Sequence, residues 1–410
     1  MNQAVADDSP PDIYSPDVYV DGPPHDAFSR LRRERPVCWQ DVPGQAGYWA
    51  VLRHADVVHV ARHPELFSAS EGGVVIEDLE PASLEAMRDM LLAMDPPRHT
   101  AYRKPVSPEF KARVIGRLEE RIRAITAGIL DPVHARVASP AGVEVEFAHD
   151  VCAQLPSAVV GELLGLPRED WATIHALAER NSGGQDPDIA DPSERGSSSV
   201  EMAMYAMGFA ARRRTMPLQE DLTDVLLGSP FDGRMMTDVD FGRFFVQLVT
   251  AGNDTTRTML SSGLLALLQH PEQLAEVRRR PESIPGMVEE VLRWANPLHY
   301  FRRTAVTDTE ISGQPIAAGD KVAMVYTSAN RDEAVFDDPQ SFDMTRSPNP
   351  HLSFGIGAHF CLGVHLARLE GRVFFEELLA RFGTVELAGE PMRQRSNLNN
   401  ALKSLPVSLA

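Results

Sequence analysis

Residues 351–370 read HLSFGIGAHFCLGVHLARLE, which crowds three glycines, two phenylalanines and three histidines around Cys361. A dinucleotide-binding loop of the form GxGxxG fails, because after Gly355 and Gly357 the required glycine position holds Phe360. Zinc would use His359, Cys361 and His365, but no second cysteine lies nearby and the glycines would serve nothing there. Iron held by one thiolate explains more. Backbone N–H groups in a glycine-rich loop approach a sulfur closely, and Phe354 shields it from water. A helix starting at the cysteine points its positive end at the same atom, which lowers the thiol pKa.

The rest of the chain has the composition of an ordinary soluble globular protein. It has 410 residues with 43% apolar and 24% charged side chains. The formal charge of −18 argues against a nucleic-acid partner, which wants a basic surplus. No stretch approaches the roughly 18–20 apolar residues of a membrane span. The N-terminal MNQAVADDSPPD lacks the apolar core of a signal peptide, so a cytoplasmic location is expected. Cys38 and Cys152 stand in apolar surroundings and read as small buried hydrophobes; with Cys361 they form neither a disulfide framework nor a CxxC site.

Helical spacing dominates, with a minor β component. Strand-like runs appear within 35–70, 300–325 and 383–410, and helices within 84–300 and 361–382; residues 1–15 are expected to be disordered. The segment 181–199, NSGGQDPDIADPSERGSSS, has the composition of a mobile lid. The longest periodic run, Asp238 to His270, is apolar on more than one face and predicts a buried central helix. Its middle, AGNDTT (251–256), breaks helical logic. Glycine costs about 1 kcal/mol in a helix interior, and Asn, Asp and Thr compete for backbone hydrogen bonds. Two readings stand: a solvated or kinked stripe, or a distorted turn that brings a carboxylate and a hydroxyl to a small ligand. Glu290 and Arg293 in EVLR share a helix face at i, i+3, a weak signal alone.

FGIGAHFCLG resembles the haem-binding signature FGxGxHxCxG of the cytochrome P450 monooxygenases, with Phe354, Gly355, Gly357, His359, Cys361 and Gly363 filling every defined position. AGNDTT is similar to that family's oxygen-activating stretch, and EVLR to its Glu-x-x-Arg. Motif detail runs from about Asp95 to the C-terminus. The resemblance implies one mainly α domain over 1–410 with a minor β subdomain, a triangular prism whose long central helix lies over the haem.

It further implies haem b with Cys361 as the iron's thiolate ligand, O2 as co-substrate, and NAD(P)H as an indirect electron source. Glu290, Arg293 and Arg346 would form a structural ion-pair network. His99, Arg103, Arg303 and His359 would meet the haem propionates, with Arg302 the alternative register for Arg303. Ala251, Gly252, Phe354, Gly355 and Gly363 would contact the cofactor. Asp254 and Thr255 match the acid–alcohol pair that delivers protons during oxygen activation. A separate ferredoxin and its reductase would supply electrons, docking on a basic patch drawn from Arg103, Lys104, Lys111, Arg113, Arg368 and Arg372.

A hydrophobic pocket is expected from Val74, Val75, Ile76, Phe245, Leu248, Val249, Leu298, Phe301, Ala401, Leu402 and the lid helices of 167–215. AGNDTTR, FRRTA and SNLNNALKSLPV resemble the bacterial branch that oxidises sterols, branched lipids and terpenoids, with a natural-product biosynthetic hydroxylase as the alternative. A peroxygenase typically carries Arg-Pro in place of the acid–alcohol pair, and a non-catalytic haem protein would lose one of its members; this chain keeps both. The chain is expected to be monomeric. His351 and His365 have no assigned role.

Overall fold

A computed structural model describes residues 10–137, 142–183, 185–189, 191 and 196–410. Its axis is the helix Asp238–Gln269, 32 residues that span about 48 Å at 1.5 Å per residue. A capping box opens it. Asp240 N–H donates to Thr237 Oγ1 at 3.1 Å, and Thr237 N–H donates to the Asp240 carboxylate at 2.9 Å. Pro271, first residue of the next helix, follows its end. Phe241, Phe245, Leu260, Leu264 and Leu267 along it are fully buried, as the apolar faces predict. The helix runs helically through 251–256, so of the two readings the distorted turn is absent. Thr255 instead folds its hydroxyl back to Ala251 O at 2.8 Å, which satisfies it without opening the backbone.

The helices Gln154–Leu163, Trp171–Ser182, Ser197–Arg213, Ile284–Ala295 and Val364–Arg381 pack around this axis. A five-stranded sheet flanks them in the order Val37–Val42, Gln45–Val51, Lys321–Val325, Tyr300–Ala305, Phe67–Ser68. In Tyr300–Ala305, paired antiparallel to Lys321–Val325, side-chain alternation sends Phe301 and Arg303 to one face and Arg302 to the other. A second sheet joins the chain's end, Pro406–Leu409, to Val143–Glu146 and Val385–Leu387. Cys38 and Cys152 lie in these cores, 4% and 0% exposed.

One expectation about a mobile segment needs correction. Disorder through residue 15 fails, because Ile13 is buried and its N–H donates to Gln40 Oε1 at 3.1 Å; residues 1–9 lie outside the described residues. In the predicted lid, residues 184, 190 and 192–195 also lie outside them. The neighbouring Gln185 and Asp186 are tied to the C-terminal segment. Gln185 Oε1 accepts from Ser396 Oγ at 2.8 Å, and the Asp186 carboxylate accepts from Arg395 N–H at 2.9 Å.

The Glu290 carboxylate is the hub of the region preceding the cysteine loop. Arg293 donates to both its oxygens, at 2.8 and 2.6 Å, and the pair is buried. Arg346, Asn349 and the Asp343 N–H donate to the same carboxylate at 3.3, 3.1 and 2.8 Å. Arg293 also donates to the carbonyls of Asn330, Pro339 and Ser341, so one guanidinium gathers a coil that no regular element supports. Removing one partner of a buried ion pair strands the other charge. Arg293→Ala is therefore expected to cost about 3–5 kcal/mol, read as a lowered urea midpoint; an unchanged midpoint contradicts the hub.

Candidate active site

The cysteine loop is built by its glycines. Gly355 and Gly357 have φ of +66° and +77°, a left-handed backbone that favours glycine. A Cβ on Gly357 would lie 2.4 Å from Ala61 O, so the loop also needs glycine to seat against the helix His54–Arg62. Cys361 N–H donates to Phe354 O at 2.8 Å, closing the loop, and the Gly363 N–H points at the Cys361 sulfur. The following helix begins at Val364, not at the cysteine. Burial pushes the Cys361 thiol up, and the Gly363 N–H, Arg103 and Arg368 only partly offset it. The expected lowering by the helix end does not dominate, because dehydration of the charged form outweighs it.

Phe354 lies beneath Arg368, whose guanidinium is 5.0 Å from its ring centre. Arg368 pairs with both oxygens of Glu289 at 2.6 and 2.7 Å, and His351 Nε2 lies 3.2 Å from the same carboxylate. Burial alone would raise Glu289, but the hydrogen bonds from His351 and Arg368 hold it at about 2. His351 thereby gains a structural place.

Cys361 opens onto a cavity of about 290 Å³ whose lining is mainly apolar. From the long helix come Phe244, Gln247, Leu248, Ala251, Gly252, Thr255, Thr256 and Met259, one face at helical spacing. Val74, Leu298 and Phe301 line it as expected, joined by Leu91, Leu92, Val160 and Leu163. Six predicted pocket residues do not. Phe245 turns to Tyr205 and Phe241, at ring distances of 5.9 and 6.2 Å. Val249 faces a small space beside Ser157 and Asn253. The Val75 carbonyl accepts from Arg302 at 3.3 Å, and Ile76 packs with Tyr48 and Tyr300. Ala401 O accepts from Gln394 N–H at 2.9 Å, and Leu402 pairs with Arg393 in a small sheet. No described residue of 167–215 reaches the cavity.

Four basic groups converge on one side of this cavity: His99, Arg103, Arg303 and His359. The two imidazoles lie 4.3 Å apart, and the buried His359 Nε2 has no partner. Burial, then Arg303, His99 and Arg103, push His359 down to about 2; burial, then Arg103 and Arg303, hold His99 at about 4. Arg103 donates to the carbonyls of Ala358 and Phe360 at 3.2 and 2.6 Å, fixing the cysteine loop. Arg302 points away, its guanidinium 3.6 Å from Asp78. A cluster of mutually repelling donors beside a cavity wants anions. Together with one sulfur and an apolar wall, it fits a haem whose propionates meet these groups.

Two consecutive helix positions separate by about 100° at 3.6 residues per turn, and this divides the acid–alcohol pair. Thr255 lines the cavity, whereas Asp254 does not and instead lies 3.7 Å from Arg257. Burial pushes Asp254 up to about 7, with Arg257 opposing and Glu179 adding to the rise. Sequence reasoning missed Tyr326, Gln247 and Glu370 in the lining. Glu370 is buried, its Oε2 has no partner, and burial pushes it up to about 8. The available signal was a lone carboxylate sharing a helix face with Leu366 and Ala367.

Among the described residues no helix is long and apolar enough to cross a membrane. Comparison with known proteins gives a consistent picture. The profile of the cytochrome P450 family matches residues 282–409. A steroid C26-monooxygenase of Mycolicibacterium smegmatis is 37% identical over 391 residues, covering 93% of this chain and 89% of the relative. The linalool 8-monooxygenase of Pseudomonas putida is 37% identical over 407 residues, covering 97% and 98%. A Mycobacterium marinum cytochrome P450 solved in complex with pseudoionone superposes with a TM-score of 0.86 at 39% identity, covering 94% of each chain. With the thiol loop, the basic cradle and the long helix already in place, these likenesses make the chain a member of the cytochrome P450 monooxygenase family.

Proposed function

We propose that this monooxygenase hydroxylates an unactivated C–H bond of a hydrophobic sterol, branched-lipid or terpenoid substrate, with electrons from NAD(P)H through a ferredoxin reductase and a ferredoxin. The observation that carries the substrate class is the wall around Thr255. Val74, Leu91, Leu92, Phe244, Leu248, Leu298 and Phe301 present hydrocarbon, and such a wall selects by shape and desolvation. The relatives' names, a steroid and a linalool monooxygenase, point the same way.

Haem b bound to Cys361 would supply the iron on which O2 is activated. The chain's own residues do the rest. His99, Arg103, Arg303 and His359 hold the propionates. The Gly363 N–H steadies the thiolate, and Ala251 and Gly252 let the cofactor approach the long helix. Thr255 holds a hydroxyl at the cavity; its proton goes to Ala251 O, so its oxygen lone pairs are left to accept from a group in the cavity. Asp254, with a proton affinity near neutrality, is suited to give and take protons at working pH. Glu370 is a second buried carboxyl that holds a proton at neutral pH.

For the ferredoxin, the landing patch draws on Arg103 and the 39%-exposed Phe360 at the cysteine loop and on the exposed Lys104, Lys111 and Arg113. Arg368 and Arg372 contribute less, because Glu289 neutralises the first and Glu119 and Glu376 the second. A cytoplasmic monomer fits this scheme.

Thr255→Ala is expected to consume NADH at a similar rate but to release peroxide in place of most of the product. Unchanged product per NADH contradicts the role given to that hydroxyl. Titrated with sterols, branched fatty acids, terpenoids and macrolides, the haem is expected to convert from low to high spin with the first three groups. Conversion by macrolides alone overturns the substrate class in favour of natural-product biosynthesis.

A further inference from the structure

Asp254 does not end in a hydrocarbon core; it opens a chain of charged side chains from three separate segments. Arg257, one helical turn on, places Nη2 3.7 Å from the Asp254 carboxylate and donates through Nη1 to Glu179 Oε1 at 3.0 Å. Glu179, in the helix Trp171–Ser182, also lies 3.0 Å from His149 Nδ1, and its Oε2 is 3.6 Å from His175 Nε2. His149 sits in the π-helical turn Ala148–Cys152. His175 Nδ1 reaches Ser157 Oγ at 2.6 Å. Side-chain exposure falls along the path, from 42% at His149 to 25% at Glu179 and 8% at Arg257.

The geometry makes one guanidinium serve two carboxylates unequally. Glu179 takes a true hydrogen bond, whereas 3.7 Å to Asp254 is beyond one. Arg257 Nε is buried without a partner, so the guanidinium is not locked by a full set of acceptors. Arginine does not itself give up a proton, so this chain is a charge balance and not a proton wire. Whatever strengthens Glu179's hold on Arg257 leaves Asp254 less compensated and more readily protonated. Whatever weakens it releases Arg257 to ionise Asp254.

We propose that Glu179 is a positioning residue which, by competing with Asp254 for Arg257, sets the proton affinity of the acid behind Thr255, with His149 as its solvent-facing partner. His149, whose proton affinity Glu179 raises, brings the state of the solvent into this balance. The charged and titratable groups facing the cluster are Glu146 from the strand Val143–Glu146, His149 and Cys152 from the turn, His175 and Glu179 from the flanking helix, and Asp254 and Arg257 from the long helix. Cys152 is a buried thiol that burial keeps protonated, and Glu146 is engaged by Ser404 Oγ at 2.6 Å and Leu405 N–H at 2.7 Å. Neither competes for Arg257 in this arrangement.

The inference rests on Asp254 being the proton-handling acid of the proposed reaction, but its test does not need turnover. The carboxyl C=O stretch of Asp254 is followed by infrared pH titration of the resting haem-loaded protein, as a difference against Asp254→Asn. Glu179→Gln, nearly isosteric, is expected to lower the midpoint by about one pH unit, since a freed cation near 4 Å favours the carboxylate. Arg257→Gln is expected to raise it, and Glu179→Asp, which keeps the charge, to restore it toward the wild-type value. The Soret band of each variant reports whether it still folds around haem. An Asp254 midpoint that stays put in a folded Glu179→Gln protein, or that moves alike in Glu179→Gln and Glu179→Asp, overturns the inference and leaves the monooxygenase reading standing. Absence of any oxygenated product from wild-type enzyme overturns that reading and leaves the titration result intact.

Discussion

The sulfur proposed to hold the haem iron must carry negative charge in a dehydrated interior, and that constraint sets the terms for everything around it. Burial favours the neutral thiol, so the charge is stable there only when a cation binds it and nearby N–H groups point inward. The loop answers with glycine at two left-handed positions and with the Gly363 N–H aimed at the sulfur. Arg103 serves twice. It donates to two loop carbonyls and belongs to the basic cradle, so the thiol position and the cradle are mechanically linked.

Support for that loop comes from a place that does no chemistry. The coil between Asn330 and Asn349 has few ladder bonds of its own, and its carbonyls converge on Arg293 and Arg346 around Glu290. Asn330 then passes the order on, accepting from Leu352 N–H at 2.7 Å at the start of the cysteine loop. A buried ion pair is thus exchanged for positional definition, a use that suits a site where small displacements of one sulfur matter.

How much of this was legible depended on what kind of information each residue carries. The cysteine loop could be read because backbone requirements are local: glycine where φ is positive, and a helix behind. The Glu290 hub was legible only in outline, because its carbonyl partners belong to irregular coil. Pocket residues fared worst. In a helix buried on all sides, periodicity does not say which face meets a cavity, so Phe245 and Val249 were placed there in error while Phe244 and Gln247 were passed over. Ala401 and Leu402 were misplaced because sheet register near the C-terminus is a tertiary property. Asp254 and Thr255 are neighbours in sequence, yet the helix turns one into the cavity and the other into a charge cluster. Glu370 lay hidden in an amphipathic-looking helix, its isolation visible only once the neighbouring elements close over it.

On this reading Cys361, and no histidine, ligates the haem iron. The most direct test is the optical spectrum of the dithionite-reduced protein under carbon monoxide. Thiolate ligation predicts the strongly red-shifted Soret band, lost in Cys361→His. A wild-type spectrum with the Soret position of histidine-ligated haem would put the iron on an imidazole and exclude Cys361 as its ligand.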